Sequence, residues 1–292
     1  MIKSFIKNLV KQSFQKVGLE IRQLSLPAEP IPVSSSIDEA FSRSLSGSPC
    51  SFNCEMPRIR TLHGFSLGHV GWHPFHAALS RLKKDIKISD YKDSFLAEYY
   101  KTWKPVNAHH AYLAFTDAPA DLTQFPAFAI HNPWMDANPH QRHQSMVNII
   151  ITENTALGFP EISEDEGYGL HGPVSEAKGR LEFERLLSTY RSIKSNGYLR
   201  NGSHSDITGV GIKRGNDYRV VIAHGQHRAA VLSFLEYSHI PIKLNKLLDK
   251  DEVSHWPQVV NGHWTRVQAE KYVDYLFDYD ANIWAASYGL KH

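Results

Sequence analysis

The sequence predicts a mixed α/β (α+β) fold, a small mixed sheet with helices behind a mainly helical and loop-rich N-terminal region. Three observations predict it. Tyr218–Ala223 is a run of β-formers that passes through Gly225 directly into a helical segment. Upstream, Leu181, Phe183, Leu186, Leu187, Tyr190 and Ile193 recur at helical spacing, and Asn196-Gly197 supplies the stop. Residues 37–160, by contrast, are rich in aromatics, His and Pro and poor in period-2 alternation.

The 292 residues are 42% apolar and 21% charged, an ordinary globular composition. No run approaches the roughly 20 apolar residues of a membrane-spanning helix. The net charge of +2 hides an asymmetry. Residues 1–24 hold five basic groups against Glu20, whereas the other 268 residues hold 27 basic and 29 acidic groups.

The arm, residues 1–24, carries Ile2, Phe5, Ile6, Leu9, Val10, Phe14 and Val17 at helical intervals, with Lys3, Lys7 and Lys11 beside them. Such a basic amphipathic helix suits either an anionic membrane surface or docking on the protein's own core. Residues 25–36 read as a linker, with Pro27, Pro30, Pro32 and three consecutive serines. Within residues 37–165, helices are expected at Ile37–Leu45, Pro74–Lys84 and Asp90–Trp103, and loops with short helices over 105–143.

The last unit, residues 166–292, is the most legible. After the amphipathic helix come a strand at Ile207–Ile212, a turn at Arg214–Asp217, the strand Tyr218–Ala223, a helix, and a strand at Ile240–Leu244. Thr265 opens a final amphipathic helix to Phe277.

Cys50 and Cys54 are the only cysteines, which excludes a disulfide scaffold and points to reduced thiols in a cytoplasmic protein. Histidines cluster at 69, 73 and 76, at 109 and 110, and at 131, 140 and 143. Pro74 interrupts the first cluster and no HExxH glutamate accompanies it, so structural histidines are expected and no metal site is assigned.

The chemistry signal is the junction His224-Gly225-Gln226-His227-Arg228. A helix N-terminus attracts anions, Gly225 permits close backbone approach, Arg228 can grip phosphate, and His227 can move a proton. Arg228 paired to an internal carboxylate, with the turn serving as a cap, is the plainer alternative.

These residues carry a resemblance. From about Gly172 to Leu244 the order helix, strand, strand, Gly225-Gln226-His227-Arg228-Ala229-Ala230, Ile240-Pro241-Ile242 resembles the ParB/sulfiredoxin superfamily. The resemblance covers about a quarter of the chain. It implies a nucleotide-binding domain in which Gly225, Gln226, His227 and Arg228 hold the phosphates of ATP with Mg²⁺. His224 stands where relatives often have Asp. Kinase-like members use a carboxylate, for which Glu176 is the candidate base, with Glu182 and Glu184 as weaker ones. The sulfiredoxin branch needs a cysteine near the turn, and none is present.

The function this implies is an ATP-dependent phosphotransferase acting on a small hydroxyl compound or sugar. The basic arm loosely resembles those of bacterial surface-polysaccharide biosynthesis proteins. That places the expected site of action in the cytoplasm, peripherally at the inner membrane face. A non-catalytic nucleotide- or phosphate-binding accessory protein is the alternative, and a ParB-like nuclease the third reading. The absence of excess basic charge outside the arm disfavours nucleic acid as a partner.

Overall fold

The computed structural model describes residues 32–46, 50–68, 70–84, 90–200 and 206–290. The basic arm and most of the linker lie outside the described residues, as does His69. The fold is α+β. Six strands, β1 (Val33–Ser34), β2 (Ser51–Glu55), β3 (Ile59–Thr61), β4 (Ile207–Arg214), β5 (Asp217–His224) and β6 (His239–Asp249), form one mixed sheet. Their order is β1-β2-β6-β4-β5-β3, with β2/β6 and β4/β5 antiparallel and the other neighbours parallel. The sheet therefore takes strands from both sides of residue 166. The short β2 and β3 fall where the sequence showed no clean alternation.

The helices follow local signals. α1 (Ile37–Leu45) and α2 (Pro74–Lys84) have the bounds read from the sequence. α3 (Phe95–Thr102) starts where the Ser94 side chain accepts the Ala97 N–H. Three short 3₁₀ turns occupy the proline-rich stretch before α4 (Pro139–Ala156), whose start is fixed by an Asn138–Gln141 capping box. α5 (Glu176–Asn196) is capped by Ser175 and stopped by Gly197 at φ 72°. α6 (Gln226–Phe234) begins at Gly225, and the short α7 (Pro257–Val260) follows β6. Thr265 and Gln268 form a capping box for α8 (Arg266–Asp278), and α9 (Ala281–Ser287) ends the described chain. Among the described residues no helix is long and apolar enough to cross a membrane.

Strand alternation divides the core between the two sheet faces. Val220 and Ile222 of β5 join Phe75, Leu186 and Ala229 in one cluster, which packs α2, α3, α5 and α6 on that face. Val221 joins Trp134, Trp256, Trp264 and Tyr272 in the other, beneath α8 and the 3₁₀ turns. Each fully buried Val or Ile contributes about 1.5–3 kcal/mol. Cys50 and Cys54 are both buried and unpaired, and burial pushes the Cys54 thiol upward.

Two irregularities open the sheet. In the β4/β5 ladder Thr208 pairs with His224 and Gly209 with Ile222, so Ala223 has no partner. In the β4/β6 ladder Gly209 pairs with Leu244 and Val210 with Lys246, so Asn245 is skipped. These are β-bulges on both sides of Gly209, and bulges bend a strand and redirect side chains. A Cβ on Gly209 would sit 2.8 Å from the Val221 carbonyl oxygen, so only glycine fits the ladder there.

Candidate functional site

The two bulged residues, Ala223 and Asn245, line a cavity of about 470 Å³ at the carboxyl end of β5. That volume lies within the range of small-molecule sites. Its floor is apolar, with Leu62, Trp134, Met146, Ile150 and Val221. Gly225, Gln226 and His227 form one wall. Gly225 has the left-handed φ of 93°, which turns the chain from β5 into α6. A Cβ there would meet Ile207 at 3.0 Å.

The adjoining wall comes from α4 and α5. Glu182 and Lys178, one helical turn apart on α5, are both buried, and the Lys178 Nζ stands 2.7 Å from Glu182 Oε1. Lys178 also donates to Asn154 Oδ1 on α4 at 2.7 Å, and the Asn154 amide donates to the Ile162 carbonyl at 2.9 Å. Across the cavity wall, His227 Nε2 lies 3.0 Å from Glu182 Oε2. Neither atom has another hydrogen-bond partner. The His227 ring stacks on Phe75 with centroids 4.2 Å apart. Gly169 backs Glu182 so closely that a Cβ there would come 2.8 Å from its carboxyl carbon.

The electrostatics follow from this packing. Burial alone raises the Glu182 carboxyl, but contacts with His227, Lys178 and Arg185 outweigh it and hold the group ionised. Burial lowers His227 below its ordinary value, more than Glu182 raises it. The centre is thus a Glu182 carboxylate neutralised by the Lys178 ammonium, with a neutral imidazole alongside. Such an imidazole can accept a proton, and the adjacent carboxylate stabilises the imidazolium that forms.

Further charges ring the cavity. Arg142, Lys178, Arg185 and Lys246 line it, against Asp136, Glu153 and Glu182. Lys246 is held by Asp136 at 2.7 Å. Arg185 is 3.4 Å from Glu153 and 3.9 Å from Glu182. Four cations against three carboxylates, beside the start of α6, suit the oxygens of a phosphate. Glu153, whose one ion pair among the described residues is the long Arg185 contact, could hold a divalent cation arriving on phosphates.

The residues expected from the sequence separate here. Gly225, Gln226 and His227 come together on the cavity. Gln226 donates to the Ile222 carbonyl at 3.2 Å, which ties the turn to β5. Arg228 does not line the cavity; its guanidinium interacts with Tyr198. Glu176 also stands outside, half-exposed at the N-terminus of α5 and paired with Lys92 at 3.0 Å and Arg180 at 3.4 Å. Glu176 and Glu182 are six positions apart, which puts them on different faces of one helix. Glu184 is exposed. The carboxylate that reaches the turn is Glu182. Arg142, Glu153, Lys178, Arg185 and Lys246 were not expected; Gly209 and Gly211, two glycines in one strand, were the available signal for the bulges.

The histidines outside the cavity are mostly packing groups. His73 accepts the Phe75 N–H at 3.2 Å, and His76 contacts Ser233 Oγ at 3.0 Å. Among the described residues no group of three or more His, Cys, Asp or Glu is arranged to hold a metal ion. No protein-family description, curated protein or solved structure matches the chain.

Proposed function

We propose that the chain is a nucleotide-binding phosphotransferase of ParB/sulfiredoxin-like kind, acting on a hydroxyl compound or sugar. The observation that carries this reading is the meeting of the Gly225–His227 turn and the buried Lys178–Glu182 pair on one cavity. ATP phosphates would lie between the turn and Arg142 and Arg185, with the nucleoside over Trp134 and Met146. Mg²⁺, held by the phosphates and Glu153, would neutralise charge on the transferred group.

His227 would take the acceptor's hydroxyl proton. As it does, the acceptor oxygen bonds to the γ-phosphorus, the bond from that phosphorus to the bridging oxygen breaks, and ADP leaves. Glu182 stabilises the resulting imidazolium, and Lys178 keeps Glu182 ionised in its buried position.

ATP turnover with hydroxyl acceptors tests the reading. His227→Gln is expected to lower kcat by roughly 10²–10⁴-fold, the usual worth of a general base, with ATP affinity little changed. Turnover that is unaffected by His227→Gln, or a wild-type chain that neither binds nor consumes ATP, would sink it.

A further inference from the structure

A second depression of about 640 Å³ adjoins the cavity and runs open along α4. The two share Ser145, Ile149, Glu153 and His224. The rest of the groove wall is Gln141, Gln144, Asn148 and Thr152. We propose that this groove holds the acceptor, and that the acceptor is an extended, uncharged polyhydroxyl chain, an oligosaccharide. The inference rests on the phosphotransfer reading of the adjoining cavity.

The composition of α4 is the first argument. Its 18 residues include only Arg142 and Glu153 as charged groups, and both line the cavity. The neighbouring α5, one of similar length, carries eight among its 21 residues. A solvent-facing helix surface ordinarily mixes charged and polar residues. Here the exposed surface bears amides and hydroxyls, with His140 and Ile151 among them. Gln144, Ser145, Asn148 and Thr152 spend no side-chain hydrogen bond on the chain itself among the described residues. Gln141 uses its amide oxygen in the capping box and keeps its amide N–H groups.

Chemistry selects the ligand. An amide offers both donors and acceptors, as a sugar hydroxyl does, and neither partner is charged. A carboxylate- or sulfate-bearing chain would find no cation in the groove wall and would face Glu153. Positions 141, 144, 148 and 152 fall on one helix face, and the stripe spans about 16 Å at 1.5 Å per residue. That length favours an extended chain over one small polyol. The shared residues put one end of that chain at Glu153 and His224, beside the turn where the phosphate would sit.

Titration of the full chain with three neutral probes, maltopentaose, cellopentaose and chitopentaose, and one charged probe, oligogalacturonate, tests this, with ATP titrated in parallel. Saturable binding of at least one neutral probe is expected, stronger than that of oligogalacturonate. Asn148→Lys is expected to weaken it by roughly tenfold or more, about 1.4 kcal/mol, while ATP affinity stays within about twofold. Asn148 is exposed, so the substitution is tolerated by the fold. No neutral probe binding, preference for the charged probe, or indifference to Asn148→Lys would overturn the groove. Oligosaccharide binding without ATP binding would leave the groove standing and remove the phosphotransfer reading.

Discussion

Glu182 sits in a place that tolerates a charge only because of its neighbours. It is buried among Gly169, Lys178 and His227, and its ionised form depends on His227, Lys178 and Arg185 together. Removing one member of a buried pair leaves the other uncompensated. Lys178→Ala is therefore expected to cost about 3–5 kcal/mol of stability, measured by urea unfolding. Lys178→Met combined with Glu182→Leu should recover most of that loss while abolishing turnover. A double variant as unstable as the single one would contradict the ion-pair account. Little of this was legible in the sequence. Lys178, Glu182 and Glu184 look alike there as charges on a helix. What separates them is which helix face meets α4 and α6, and that is decided by contacts far away in the chain. Gly225 was legible because its demand is local: the turn needs a left-handed φ.

At the scale of elements, the sheet bulges around Gly209 make the room for the cavity. Gly209→Ala would push a methyl against the Val221 carbonyl and the Val220 side chain. It is expected to lower stability by roughly 1–3 kcal/mol, the usual cost of overpacking, and to weaken ATP binding together with the thermal midpoint. Unchanged unfolding and binding would show that the bulges do not depend on it. The helices α1, α2, α5 and α8 were readable from periodicity, from the Asn196-Gly197 stop of α5 and from Thr265 at the start of α8. The strands β2 and β3 were not. Each is short, and Arg60 and Thr61 are buried beside apolar neighbours, so no alternation marks β3.

For the whole molecule, acid stability is governed by buried neutral histidines. Burial is the main cause that holds His131 and His171 down at about 4 and His73 at about 3, and it holds His63 well below its ordinary value. His63 has no hydrogen-bond partner on either ring nitrogen. In the unfolded chain each returns to about 6.5. Between about pH 6.5 and 4 the unfolded state therefore binds more protons, so stability rises with pH and falls on acidification. Each histidine contributes a slope of up to about 1.4 kcal/mol per pH unit. Glu182, held below the unfolded carboxylate value, adds a loss that begins only near pH 4. The urea midpoint should drop steeply between pH 7 and 5; a flat midpoint would contradict this. The sheet order was not legible, because β1 to β3 join β4 to β6 across more than 140 residues. The sequence of residues 1–24 suits either an anionic membrane surface or the protein's own core, and vesicle sedimentation separates the two. Lys3→Glu, Lys7→Glu and Lys11→Glu together should abolish sedimentation with anionic vesicles, at about 1 kcal/mol per lysine near the surface.

Under the proposed function, the cavity beside Gly225 binds nucleotide phosphates. Calorimetric titration of Mg·ATP into the full chain and into Arg185→Ala tests it most directly. Arg185 is partly exposed and its ion pairs are long, so the variant should fold with a near-native thermal midpoint. Saturable binding to the wild type is expected, with affinity weakened by roughly tenfold or more in the variant, the worth of one charge-assisted phosphate contact. No saturable binding to the wild type, or equal affinity in both, would contradict it.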